Sequence, residues 1–332
     1  MKKTLLILLP LVALLWTGCE EKVIDIDPGL TQKVPVAVAR VEADSTVSLR
    51  LTFSRFFLDT HPFAEIDNAT VSLTVNGNPG AAAVTRVGGN YTIAYTPQAG
   101  DRLGLRVLVP GQDVPLTAET IMPTAPVVSA AQVSQGTNSN GNPAFNIRFR
   151  LTDDATTRDY YSIRLRSIDT LIHTYNINQY STVVVSDTTP RDMFISFSCN
   201  DVILKDNTNL SLDLDGSTPM SWLPFSDELI SGTSHDITIS IPRDTASTTP
   251  GNAGGESGTY VDTYQYTIPK LYLEVTSYSY DRYLYELTLS TYDGDMLSAM
   301  FTEPVQIHTN VQGGIGIFAA SSRAVQQLQM NE

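Results

Sequence analysis

Val47-Ser48-Leu49-Arg50-Leu51-Thr52-Phe53 alternates without a break: Val47, Leu49, Leu51 and Phe53 fall on one side, Ser48, Arg50 and Thr52 on the other. A period of two belongs to an extended strand with one buried face, not to a helix of 3.6 residues per turn. The pattern recurs downstream. Val71, Leu73 and Val75 share a face ahead of Asn76-Gly77, a pair suited to a type I′ turn because both central residues need positive φ. Gly88-Gly89-Asn90 separates the next two strands, the second placing Tyr91, Ile93 and Tyr95 on one face, and Leu103, Leu105, Val107 and Val109 alternate before Pro110-Gly111. Short strands at this spacing over residues 35–123 predict an immunoglobulin-like sandwich. Met122–Pro126, with two prolines, marks its boundary.

Residues 124–332 continue in the same style. Phe145, Ile147, Phe149 and Leu151 alternate, as do Tyr161, Ile163 and Leu165, then Val183 to Val185, Ile237 to Ile241 and Leu271 to Val275. The expectation is an all-β chain whose second domain is a larger β-sandwich or barrel-like structure. Residues 244–259, almost wholly Thr, Ser, Gly, Asn and Pro, cannot bury apolar area and predict a mobile loop. One segment breaks the strand period. Tyr280, Tyr283, Leu284 and Leu287 fall at i, i+3, i+4 and i+7 behind Ser279 as N-cap, which predicts a short amphipathic helix packed on the sheet. The alternative, that the tyrosine stripe lines a ligand groove, stays open.

The start of the chain has a different logic. Lys2 and Lys3 precede an apolar run from Leu5 to Trp16, then Thr17, Gly18 and Cys19. The run is about a dozen residues, short of the roughly 20 that span a bilayer, so residues 1–18 read as a cleaved signal peptide. Leu15-Trp16-Thr17-Gly18-Cys19 resembles the lipobox of bacterial lipoproteins, with Trp16 where Leu is more usual. That resemblance implies acylation of the Cys19 thiol, and several acyl chains hold a protein at a membrane that its polypeptide never enters. Residues 19–34, with Glu20, Glu21, Asp25 and Asp27, then form an acidic tether resembling the export signal of surface lipoproteins of Bacteroidota. The implied location is the outer membrane, facing the cell surface.

Formal net charge is −14, so the surface repels phosphate backbones and nucleic acid is not an expected partner. Hydrophobic residues at 42% suit a folded body. The two cysteines, Cys19 and Cys199, form no intrachain disulfide if Cys19 is acylated, and Cys199, inside the alternation Phe194–Cys199, reads as a buried core residue.

Signals for chemistry are few. His61, His173, His235 and His308 fit no zinc spacing, and neither a Walker loop nor a GxSxG elbow occurs. Asp153-Asp154 with Asp159, and Asp213 with Asp215-Gly216, have the oxygen chemistry of a calcium site, but match no EF-hand loop and read as solvated turns. No catalytic residue, metal or cofactor is assigned. Aromatic side chains supply contact area at low entropy cost, so Trp222, Tyr260, Tyr264 and Tyr266, flanking the polar loop, are the candidate contacts for a sugar or peptide.

Cys19-Glu20 with Val23–Asp27, Gly89-Asn90-Tyr91 ahead of Ala118-Glu119-Thr120, Phe225–Leu229 with Gly232, and the tail Glu303-Pro304-Val305, Asn310-Val311 and Gly313–Phe318 together resemble the domain-of-unknown-function 4249 lipoproteins of Bacteroidota. The resemblance covers nearly the whole mature chain. It implies the same two β domains and genes that accompany TonB-dependent outer-membrane receptors, and it implies no catalytic residue. The tail glycines are expected to permit close backbone approach or positive φ near the end of the last strand. The function expected is an accessory binding component of a TonB-dependent uptake system rather than an enzyme. A surface hydrolase and a structural or adhesive envelope protein are the alternatives.

Overall fold

The computed structural model describes residues 33–56, 59–80, 82–175, 185–205, 224–242, 251–252, 263–266, 270–291 and 306–329. The leader, Cys19, Trp222, Tyr260, Asp213 and Asp215 lie outside the described residues, as does the polar loop apart from Gly251–Asn252.

Alternation builds the first half directly. β1 (Pro35–Glu42) pairs antiparallel with β2 (Val47–Phe53), whose Val47, Leu49 and Leu51 are fully buried. β3 (Thr70–Val75) turns through Asn76 (φ 53°) and Gly77 (φ 80°), the positive pair that the turn requires, into β4 (Asn78–Pro79). β5 (Val84–Val87) and β6 (Asn90–Ile93) form the next hairpin, with Leu49 opposite Tyr91 where β6 meets β2. β7 (Arg102–Leu108) and β8 (Leu116–Ile121) complete a four-stranded sheet in the order β4, β3, β7, β8. Between this sheet and the β1–β2–β6–β5 ladder lies a core of Leu49, Leu51, Tyr91, Ile93, Leu103, Leu105 and Val107, giving the two-layer sandwich that the sequence pattern predicts.

The second half is also layered. β9 (Val127–Thr137) and β10 (Pro143–Thr152) pair beside β15 (Ser234–Pro242) and the short β13 (Ser198–Cys199) in a sheet ordered β13, β15, β10, β9. β11 (Tyr160–Tyr175) carries β12 (Val185–Ile195), β14 (Pro224–Ser226) and β17 (Thr263–Tyr266), which pairs in turn with β16 (Gly251–Asn252). β18 (Lys270–Tyr278) flanks β11 and leads into the helix Tyr280–Thr291, one of two among the described residues with the single turn Val202–Lys205. Ile147, Phe149, Ile163, Leu165, Phe225, Ile237, Ile239 and Leu273 fill the space between the layers, joined by Phe197 and Cys199. Cys199 is buried, as its place in the alternation predicts. No sheet among the described residues closes into a barrel.

The last strand ties the halves together. β19 (Ile315–Leu328) runs parallel to β1 over Ile315–Ser321, then antiparallel to β18 over Ser321–Leu328. One long sheet therefore walls both cores, and Val311, Phe318 and Ala320 from the C-terminal segment belong to the core of the first sandwich. The glycines stand at the beginning of this strand rather than near its end. Gly316 has φ +127°, and a Cβ on Gly314 would meet the Pro35 carbonyl oxygen at 2.5 Å. Close approach and positive φ are both realised there.

In the segment after β2, the Asp59 carboxylate accepts the His61 backbone N–H at 2.9 Å. No helix among the described residues is long and apolar enough to cross a membrane.

Candidate functional site

Two loops at one end of the second sandwich lock into each other. After β10 the chain turns through Asp153–Asp159, and after β14 it turns through Asp227–Thr233. Asp159 N–H donates to an Asp227 carboxylate oxygen at 2.9 Å, and Asp227 N–H donates to the Asp159 carbonyl at 3.0 Å. Asp153 accepts the Tyr161 hydroxyl at 2.7 Å and the Gly232 N–H at 2.9 Å. Gly232, at φ +68°, passes so near Ala155 that a Cβ would clash, which explains a glycine in this turn.

Asp153 is buried, not the solvated turn residue that its sequence context suggests, and it has a second buried carboxylate beside it. Oxygens of Asp153, Asp159 and Asp227 lie within 4.8 Å of one another. Three carboxylates at that separation have the donor chemistry of a hard cation. Burial pushes the Asp159 carboxyl above the ordinary range, the Thr157 hydroxyl pulls it partly back, and the charges of Asp153, Asp227 and Asp154 push it further up. Burial likewise raises Asp227, offset in part by the Asp159 N–H. Tyr161 is raised by its burial and by its bond to Asp153. Asp154, which is exposed, goes the other way, because the backbone and hydroxyl of Thr156 both donate to it.

The helix brings aromatic side chains to the same end. Ser279 caps it as expected, its hydroxyl accepting the Arg282 N–H at 3.4 Å and its carbonyl the Tyr283 N–H at 2.9 Å. Its inward face, however, is charged: Arg282 and Glu286 are buried, whereas Tyr283, Leu284 and Leu287 are half-buried and Tyr280 is 56% exposed. The expected packing of the Tyr/Leu stripe into the core is thus overturned. The Ser279 hydroxyl also accepts the Ala320 N–H at 3.1 Å, so the start of the helix is held against β19 with Arg282 turned inward.

That rotation leaves the tyrosines to build two adjoining hollows. The larger, of about 700 Å³, lies between the Met122–Val127 linker, the Asp154–Tyr161 segment and Ser277–Asp281, with Arg102 and Glu119 on its far wall. The smaller, of about 460 Å³, is lined by Ser226, Glu228, Leu229, Tyr283, Leu284 and Leu287. Arg158, Tyr160 and Tyr280 border both. Tyr160 stacks on Tyr283 with centroids 4.6 Å apart and meets Tyr280 at 5.4 Å, while Arg158 sits 6.0 Å from the Tyr160 centroid and pairs with Glu228 at 3.3 Å. His308 closes the helix side through Asp281 at 2.8 Å. A third hollow of about 360 Å³ beside Cys199 is polar, and its thiol is already engaged with the Thr238 carbonyl at 3.3 Å.

Of the aromatic residues chosen from sequence, Trp222 and Tyr260 lie outside the described residues. Tyr264 and Tyr266 lie on β17 opposite His173 and Leu171 of β11, and their side chains are outside what is described. Arg158, Tyr160 and Glu228 were not marked as site residues. Glu228 lay within the Phe225–Leu229 segment that carries the family resemblance, and the Tyr280/Tyr283 stripe was the signal that a groove reading needed.

A family model described as "Domain of unknown function (DUF4249)" matches residues 24–327 of the chain. No curated protein matches it.

Proposed function

On the premise that the chain belongs to the DUF4249 family, we propose that its mature form is a lipid-anchored binding protein at the outer face of the outer membrane. There it captures a ligand beside a TonB-dependent transporter. The observation that carries this reading is the pair of hollows divided by Tyr160 and Tyr280: concave, tyrosine-lined and edged by charged and hydroxyl side chains, the larger one placed where two sandwiches meet, as ligand sites commonly are. Tyr280 leaves more than half its surface to solvent at the border of both hollows. Anchoring at Cys19 supplies the rest of the mechanism. A tether confines the hollows near the membrane, which raises the effective concentration of captured ligand at a neighbouring pore.

The test is recovery of the intact lipoprotein from native outer membrane. Acyl chains on Cys19 by mass spectrometry and a co-purifying TonB-dependent receptor are expected; membranes yielding the protein with no receptor remove the accessory role. One observation favours hydrolysis as a second reading. Asp154 and Asp159 border the same hollow with their carboxyl groups shifted in opposite directions, the division between base and acid that glycoside and related hydrolases exploit. Product formation that disappears in Asp159→Asn while binding persists selects that reading.

A further inference from the structure

We infer that the occupant of these hollows is a cation, a guanidinium or ammonium group on an apolar stem, seated where Arg158 now rests. The inference depends on the binding role proposed above and names its ligand class. Its first support is that the protein already places a guanidinium there. Arg158 lies toward the ring of Tyr160, pairs with Glu228, and borders both hollows. Aromatic rings present a negative face, so a ring cluster with a carboxylate at its mouth is a seat for positive charge. Arg158 holds that seat loosely. Its side chain is 63% exposed and that of Glu228 72%, and ion pairs so open to water contribute little. An incoming cation can displace it.

The second support is charge complementarity. The interlocked loops carry Asp153, Asp154, Asp159, Asp227 and Glu228 against Arg158 as their one guanidinium. From the helix Asp281 adds a carboxylate already paired with His308, and on the far wall Arg102 and Glu119 balance in sign. An anionic ligand meets repulsion here. A neutral one leaves the crowded carboxylates as they are, whereas a cation lowers their mutual repulsion and so gains an interaction peculiar to its charge. An extended peptide cannot bind the floor by strand addition, since Tyr160 is paired with both Ser226 and Tyr278. Recognition must therefore come through a side chain or a free small molecule.

Isothermal titration of the full acylated protein in detergent tests this with two probes, agmatine and a tetra-arginine peptide, and tetra-glutamate as control. Saturable binding of at least one cationic probe is expected, weakened about tenfold in Tyr280→Ala, kept in Tyr280→Phe, and weakened several-fold in Glu228→Gln. Agmatine competing on equal terms identifies a free amine or guanidine as the source. Binding of the peptide alone identifies a basic chain. No saturable binding of either probe overturns the inference, as does binding indifferent to Tyr280→Ala and Glu228→Gln, which is diffuse attraction to an acidic surface. A neutral hexasaccharide or calcium ion binding where the cations do not also overturns it. If a receptor co-purifies while neither probe binds, the accessory role stands and the cation goes; binding without a receptor does the reverse.

Discussion

Gly316 faces Ala37 across the parallel ladder, and the Cβ that Gly316 lacks would fall inside the Ala37 peptide group. Gly316→Ala must therefore push β19 off β1 or force an L-residue into φ +127°. We expect a loss of about 3 kcal/mol, read as a lowered denaturation midpoint. Gly77→Ala is the control, with positive φ but open space around it, and should cost about 1 kcal/mol. Equal stability of the two variants would show that close approach at Gly316 is not what the site requires.

The buried face of the helix makes a different demand. Arg282 Nη2 and Glu286 Oε1 are 2.6 Å apart and almost fully shielded from solvent, yet off the line of a hydrogen bond, and Arg282 Nε and Nη1 have no hydrogen-bond partner among the described residues. The guanidinium also lies over the Tyr278 ring, 5.6 Å from its centroid. Breaking one partner strands the other charge, so Glu286→Leu should destabilise by about 3 kcal/mol. Arg282→Met with Glu286→Leu should recover most of that loss, because neither charge then has to be desolvated. A double variant no more stable than the single one, measured by urea unfolding, would refute this.

What the sequence could and could not reveal follows from how each signal works. Val47–Phe53 is legible because alternation is a local consequence of one buried face, and the strand has the bounds that its pattern predicts. Asn76-Gly77 is legible because the turn's dihedrals select those residue types. The helix was legible in place and in cap, but not in rotation. Tyr280, Tyr283, Leu284 and Leu287 are the more apolar stripe, yet Arg282 and Glu286 face inward, and the contact that holds the helix start, Ser279 with Ala320, is 41 residues away in the chain. The carboxylate cluster is illegible for the same reason. Asp153, Asp159 and Asp227 are joined by pairing between β11 and β14, and no spacing rule spans that distance.

Asp159 offers a pH test. Its carboxyl is raised in the folded protein, so between the ordinary carboxylate value and the raised one the native state holds a proton that the unfolded chain has released. Stability from this group is therefore greatest at low pH and is lost as pH rises through that window. Asp159→Asn removes the charge and keeps an oxygen for the Thr157 hydroxyl. At neutral pH the variant should melt about 2 °C higher than the parent, a modest gain because the group is only half-buried. The gain should vanish near pH 4. A gain independent of pH would mean that the cost of ionising Asp159 in its buried, acidic surroundings is not its source.

Phe318 tests the order in which the molecule can be completed. It is fully buried in the core of the first sandwich, although it is separated from that sandwich's own strands by the whole second half of the chain. β1 pairs with β2 on one side and with β19 on the other. Until the C-terminal strand arrives, the apolar face of β1 lacks a neighbour and its outer amides lack acceptors. Phe318→Ala should cost about 3–5 kcal/mol through the cavity it leaves. Hydrogen exchange should locate that loss, with amides of Val36–Glu42 exchanging faster while those of Ile163–Leu165, opposite Val275–Leu273 of β18 and part of the second core, change less. If β1 keeps its protection in this variant, the first sandwich is closed by residues 35–123 alone, and β19 is an ornament to a domain already finished.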